Sequence, residues 1–217
     1  MEKVSFELER GEIVGIMGPS GCGKTTTAKI ISALLDPCSG EILFQGRDIL
    51  KMTRRETIAM RHDLQVIFQN PKMVLHPNYT VYKLLAEPIR LFSLAENKAD
   101  EARRVREILA AVGLSEQLLN RRPNEISGGQ SQRVSIARSL ILKPKLLIAD
   151  EATSMLDLSV QAQILHLFND LHAKANPAIL LISHDENVVN NFCHRVIVMD
   201  SGKIVNTYLT SKIKSAS

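Results

Sequence analysis

The sequence predicts an α/β fold: a mostly parallel sheet core covered on both faces, with a small antiparallel β part and an inserted helical lobe. Short apolar runs that read as buried strands alternate with stretches of helical spacing towards both ends of the chain. A glycine-rich turn joins the first such strand to the first helix. Between the two alternating parts lies a long polar stretch with helical periodicity. The expected organisation is a single domain over 1–217, with 1–79 and 141–217 forming the core and 80–140 the helical lobe.

Taken in order, Glu12 to Met17 is an apolar run ending in Gly18-Pro19-Ser20-Gly21-Cys22-Gly23, and Lys24 to Leu35 follows with Ala28, Ile31 and Leu35 at helical spacing. That is strand, glycine loop, helix. Asp36 to Gly40 breaks the helix, and Glu41 to Gly46 reads as a strand entering a turn, the start of the inserted β part. From about Val81 to Leu119 the pattern is helical, clearest over Glu101 to Ala111, with Gly113 as the expected stop. Leu146 to Ala149 and Ile179 to Ser183 read as buried strands, Ser159 to Ala173 as a helix between them, and Arg195 to Met199 as a further strand. There is no internal repeat, heptad run or low-complexity tail.

Composition narrows the function classes. At 217 residues, 45% hydrophobic and 23% charged, the chain can bury a sizeable core. No apolar run approaches the roughly 20 residues that span a bilayer, and the start from Met1 to Glu7 lacks the basic-then-apolar order of an export signal, so the expected location is cytoplasmic. Cys22, Cys38 and Cys193 are scattered and odd in number, which suits neither a disulfide framework nor a zinc site. The net charge of +4 comes from basic residues interleaved with Asp and Glu, which reads as a solvated surface and not as a nucleic-acid face.

Gly18 to Thr25 satisfies the phosphate-loop pattern in full, between a buried strand and a helix start. The glycines let successive backbone N–H groups face the phosphates, the helix N-terminus adds a favourable dipole, Lys24 neutralises the outer phosphates, and the Thr25 hydroxyl can ligate Mg²⁺. Asp150 and Glu151 follow a buried strand, at the sheet edge where such folds bind ligands. Asp150 would hold Mg²⁺, and Glu151 would act as general base towards a water. Ser127-Gly128-Gly129-Gln130 is a capping box at a helix start, but capping does not call for two glycines. Each costs roughly 1 kcal/mol in a helix, so a close approach to the backbone, as by a bound phosphate, explains them better.

With Gln69 in Val66-Ile67-Phe68-Gln69-Asn70-Pro71, Ser154-Met155-Leu156-Asp157 and His184, these motifs occur in an order that resembles the nucleotide-binding domain of ATP-binding cassette (ABC) transporters, a P-loop NTPase, over about Val4 to Val205. The resemblance implies an ATPase with ATP and Mg²⁺ as cofactors. Gly18, Pro19, Ser20, Gly21, Cys22, Gly23, Lys24, Thr25 and Thr26 would hold the nucleotide, and Thr25, Gln69 and Asp150 the metal. Two subunits would meet head to tail, with Ser127, Gly128, Gly129 and Gln130 on the nucleotide of the other subunit and Asp157 coupling the two sites. Glu151, His184 and Gln69 would be catalytic. The run Leu156 to Leu165 and Pro144 to Glu151 is similar to the ATPase subunits of oligopeptide, dipeptide and nickel importers. That likeness implies a homodimer or a heterodimer with a second such subunit, two transmembrane permease subunits and an external substrate-binding protein, on the inner face of the cell membrane, without nucleic acid.

The sequence departs from that pattern in places. Members of the family begin some tens of residues earlier, with an aromatic residue that stacks on adenine. Phe6 would instead fall on a later core strand, so weaker ATP affinity is the expectation. Ala152 stands where proline commonly follows the glutamate, and Ile126 replaces a leucine. Cys22, inside the loop and near Lys24, is expected to react with a maleimide and so block ATP binding. A soluble ATPase of the same family acting on nucleic acid or ribosomes, or a weakly catalytic subunit of a heterodimer, are the alternative readings.

Overall fold

The computed structural model describes residues 4–210; the first three residues of the Met1 to Glu7 start, and the tail after Thr210, lie outside them. In chain order the elements are β1 (Ile13–Met17), α1 (Lys24–Ile31), β2 (Leu43–Phe44), β3 (Arg47–Asp48), α2 (Arg54–Asp63), β4 (Leu64–Ile67), α3 (Val81–Leu91), α4 (Lys98–Ala111), α5 (Gly128–Leu140), β5 (Leu146–Asp150), α6 (Leu158–Ala175), β6 (Ala178–Ile182), α7 (Glu186–Phe192), β7 (Arg195–Asp200) and β8 (Lys203–Leu209). They group into two compact units. Unit 1 is drawn from Met1–Val66, Lys145–Asp150 and Asn176–Ser217, and unit 2 from Ile67–Pro144 and Glu151–Ala175. Besides the stretch 80–140 read as a helical lobe, unit 2 thus takes in 67–79, 141–144 and 151–175.

In unit 1 the six-stranded sheet runs β4-β5-β6-β1-β7-β8. β1 pairs in parallel with β6 and β7, and β5 with β6, whereas β8 returns antiparallel to β7. Every residue of β1, β5 and β6 is buried, which is why these strands are written as continuous apolar runs and not as alternations. Val14, Ile16, Ile148, Leu180, Ile182 and Ile197 form the centre of its core. β6 and β7 are consecutive strands yet flank β1, so the chain crosses over β1 between them. In open α/β sheets such a change of direction leaves a crevice at the carboxyl ends of the strands, where ligands bind.

The short antiparallel sheet is the hairpin β2–β3, turned by Gln45 (φ 52°) and Gly46 (φ 76°). Two consecutive left-handed residues match the twist of the flanking strands. α1 ends at Ile31, earlier than the spacing to Leu35 suggests. Ala33 takes φ 53°, and the N–H groups of Leu34 and Ala33 donate to Lys29 O and Ile30 O, so the chain closes the helix with a left-handed cap. The expected strand around Phe6 does not form among the described residues: 4–9 belong to no strand, Glu7 O accepts from Arg195 Nη2 at 2.8 Å, and Phe6 packs partly buried against the core. Periodicity did not reveal α2, α7 or β8. α2 begins at a capping box in which Thr53 and Glu56 satisfy each other's backbone N–H.

In unit 2, α3, α4 and α5 pack on one another. The helical stretch expected from Val81 to Leu119 is broken into α3 and α4 at Ser93, which is left-handed at φ 51°. Gly113 (φ 68°) terminates α4 as expected, with the N–H of Leu114 returning to Leu109 O. Arg133 Nη1 then donates to Gly113 O at 2.8 Å and ties that stop to α5. Glu101, on α4, is held by Arg90 (2.6 Å to each carboxylate oxygen) and by the Tyr82 hydroxyl at 2.9 Å, joining α4 to α3. Among the described residues no helix is long and apolar enough to cross a membrane.

Candidate functional site

The glycine loop fills the link between β1 and α1 in unit 1. Gly18 (φ 149°), Gly21 (φ 81°) and Gly23 (φ 107°) all adopt backbone that L side chains rarely accept. At Gly18 a second constraint applies, because a Cβ would lie 2.0 Å from Met199 O and 2.9 Å from Cys22 Sγ. Gly23 brings no capping side chain to α1, so the first turn of that helix presents its N–H groups and positive dipole end to the loop. Lys24 is only 8% exposed, and its ammonium donates to Gly18 O at 2.7 Å and Pro19 O at 3.0 Å. The charge is thereby held inside the curl of the loop. Pro19, Ser20 and Thr25 are exposed and Thr26 half-buried, and Thr27 bonds back to Gly23 O at 3.0 Å. Cys22 corrects an expectation. It is 4% exposed, its thiol belongs to the core and lies 4.0 Å from the Lys24 ammonium, so it offers no open face to a maleimide.

Asp150 ends β5 and is 2% exposed, in the same unit as the loop, while α1 packs on β5. A carboxylate and the Thr25 hydroxyl are hard oxygen donors, as Mg²⁺ requires. Among the described residues no cluster of three His, Cys, Asp or Glu could cage a metal. Mg²⁺ fits such a pair, since it keeps waters and phosphate oxygens and takes only one or two protein ligands.

His184 lies between Ser183, just past the end of β6, and Asp185, whose side chain caps α7 through the N–H groups of Asn187 and Val188. Ser183 Oγ accepts from Asp185 N at 3.1 Å, and this tight turn leaves the imidazole exposed. With Met17, Gly18, Pro19, Glu186, Val198 and Tyr208 it lines a cleft of about 330 Å³. Glu186 and Tyr208 were not singled out by sequence reasoning, because α7 and β8 carry no motif.

In unit 2, Gln69 Nε2 donates to Glu151 Oε2 at 3.0 Å, joining two residues 82 positions apart. Glu151 holds φ 47°, a left-handed conformation unusual for a residue with a side chain. Its carbonyl accepts from Ser154 N at 3.2 Å and Ser154 Oγ at 2.9 Å, which fixes the turn. Strain of this kind, worth on the order of 1–3 kcal/mol, persists only where the surroundings over-determine it, and it concentrates at functional sites. Gln69, Asn70, Lys72 and Met155 line a second cleft of about 370 Å³.

Ser127 caps α5 through Gln130 N (3.2 Å), and Gln130 Oε1 accepts from Ser127 N at 2.9 Å. A Cβ on Gly128 would meet nothing within 4 Å, and one on Gly129 would be in ordinary contact with Leu156 at 3.6 Å. Among the described residues, nothing therefore calls for glycine at position 128. Asp157 Oδ1 accepts from Ser159 Oγ (2.8 Å) and Val160 N (3.0 Å), and these bonds to Val160 N and Ser159 hold its carboxyl below the usual range. Sequence reasoning missed Gln132, which is wholly buried on α5 and donates to Phe68 O at 3.1 Å and Ala152 O at 2.8 Å. The only sequence signal is phase: Gln132 falls on the face that carries Ile136 and Leu140.

The ABC transporter family model matches residues 1–154. The chain is 45% identical over 206 residues to a probable peptide ABC transporter ATP-binding protein, y4tS, of Sinorhizobium fredii, covering 94% of this chain and 58% of that protein. It is 42% identical over 213 residues to the nickel import ATP-binding protein NikE of Escherichia coli K12, covering 98% of this chain and 79% of that one. The chain thus spans less than two thirds of the length of the first of these relatives. Among solved structures, the ATP-binding cassette MJ0796, in a dimeric post-hydrolysis state with ADP and Pi, superposes with a TM-score of 0.88 at 32% identity, covering 95% of this chain and 88% of that chain.

Proposed function

We propose, because the chain belongs to the ABC transporter family, that it is the ATP-binding and ATP-hydrolysing subunit of a membrane importer. The observation that carries this reading is the loop itself: a buried ammonium inside a curl of left-handed glycines, at the open N-terminus of α1. Such a curl suits the phosphates of a nucleotide. The backbone N–H groups from Gly21 to Thr26 bind and orient the triphosphate, and Lys24 balances charge on its outer oxygens. Thr25 and Asp150 would hold Mg²⁺, which would supply further charge neutralisation there. Glu151 takes the proton of the attacking water as that water displaces ADP from the γ-phosphorus in line, and Gln69 keeps the carboxylate aimed. His184 stands beside Gly18 and Pro19, where it contacts the γ-phosphate.

The partner is a second ATPase subunit, a copy of this chain or a relative. The unexplained space at Gly128 supports this, because a phosphate held by the partner's loop can reach the backbone there only if no Cβ intervenes. Ser127, Gly129 and Gln130 complete that contact, and Asp157 links the two sites. The cleft bordered by Gln69, Asn70 and Met155 is the docking face for a transmembrane permease, and on this reading the chain works at the inner face of the membrane. ATP-driven closure and reopening of the two subunits is the motion passed to that permease, with the ATP-binding core and the helical lobe as its working parts. Similar identity to a peptide and to a nickel ATPase supports small peptides, nickel or metal chelates as the cargo class, delivered by an external binding protein.

Replacing Glu151 with Gln tests the central claim. ATP affinity stays within about threefold, while steady-state phosphate release falls by about 100-fold or more, the contribution of a positioned general base. Unchanged turnover would remove Glu151 from this role.

A further inference from the structure

We infer that Gln132 is a positioning residue that sets the Gln69–Glu151 pair and relays to it the state of the α5 N-terminus. One side-chain amide spends both of its N–H groups on two carbonyls distant in sequence, Phe68 O at 3.1 Å and Ala152 O at 2.8 Å. Phe68 precedes Gln69, and Ala152 follows Glu151. The two residues so pinned are therefore the immediate neighbours of the pair that meets at 3.0 Å. The orientation of the amide is fixed, because two carbonyl acceptors demand the NH₂ end. Gln132 is 0% exposed, and its Oε1 accepts no hydrogen bond from the described residues. A buried acceptor in that position works against stability, so what the side chain contributes is the two donated bonds.

The element that carries Gln132 gives the arrangement a direction. α5 begins one residue after Ser127, and Gln132 lies five residues beyond it, within the first turn and a half. An α-helix moves as a rigid rod over that distance, so a shift of its N-terminus against a ligand displaces the amide and, through it, both segments. On the function proposed above, the Ser127 end of α5 meets the partner's nucleotide while Glu151 acts on the nucleotide of its own chain. Gln132 then makes hydrolysis in one site depend on occupation of the other.

The test compares the full-length chain with Gln132→Met, which keeps the length and removes both donors, and Gln132→Glu, which keeps the length and offers a single donor when protonated. ATP affinity, KM and kcat are measured together with amide hydrogen exchange. For Gln132→Met the expected kcat is 10- to 100-fold lower, with KM and ATP affinity within twofold, and exchange rises in 67–73 and 151–157 but not in α3 or α4. Gln132→Glu ranks between the two, and it decides the matter if the Met variant does not fold. A kcat within twofold of the parent in whichever variant folds, or exchange that rises equally throughout unit 2, would overturn the inference. Should the parent itself turn over no ATP, the functional reading fails, and the localised exchange response alone decides whether Gln132 holds the two segments.

Discussion

Lys24 and Gly18 show how much of a site one residue can carry. The motif places an ammonium near phosphates, but the structure adds that the charge is drawn inside the loop by two of the loop's own carbonyls. Gly18 is required twice over, by its φ of 149° and by the 2.0 Å that would separate a Cβ from Met199 O. Gly18→Ala is expected to cost on the order of 2–4 kcal/mol through backbone strain and overpacking. The check is a lowered denaturation midpoint accompanied by loss of ATP binding; an unchanged midpoint would mean that β7 can yield at Met199. Gly128 differs, since it faces open space. Residue types in the right order made the loop, Glu151 and Ser127 legible from the sequence. Gln132 was not legible, because a glutamine in a helix is ordinarily a solvated residue and its role depends on two carbonyls that folding brings to it.

Element boundaries were set by caps more than by periodicity. Apolar spacing continues past Ile31, yet Ala33 turns left-handed and ends α1. At the end of α4 the same device uses glycine, which pays no steric penalty, and Gly113 was accordingly visible in the sequence. Gly113→Ala is expected to destabilise unit 2 by about 1–2 kcal/mol, the cost of a left-handed residue carrying a Cβ. A Cβ there would also come within 3.3 Å of Gln163 Oε1, which can move aside, and 3.4 Å of Arg133 Nη1, which its bond to Gly113 O holds in place. Urea titration measures the effect, and a change below about 0.3 kcal/mol would show that the cap is worth little. α2 escaped notice because it is a polar helix secured by the Thr53 and Glu56 box, with Met60 its one buried residue. β8 escaped for a related reason, being an edge strand with little buried surface.

Over the whole molecule, ion pairs tie segments that are remote in sequence. Burial pushes the Glu12 carboxyl up, but the Arg195 hydrogen bond, the Glu9 N–H and the charges of Arg195 and His194 outweigh it and hold Glu12 below the usual range. Asp63 is likewise pushed up by burial and brought below its ordinary value by Lys145 and His62, and Glu101 is held low by Arg90. Folded values below unfolded ones near 4.5 for Glu and 3.8 for Asp mean that this stability is present above those values and lost as pH falls through them. The denaturation midpoint should therefore hold steady between about pH 7 and 5 and fall steadily below about pH 4.5. A midpoint independent of pH down to 3 would show that these pairs do not matter. The α/β class, the buried strands and the phosphate loop were determined by the sequence alone, because periodicity and glycine chemistry are local and survive without knowledge of neighbours. Only tertiary structure decided that β6 and β7 flank β1, that the Cys22 thiol turns inward, and that one buried amide reaches the neighbours of both Gln69 and Glu151. Those contacts join residues tens of positions apart, and the linear order of side chains does not specify which carbonyl will stand within hydrogen-bonding distance of which donor.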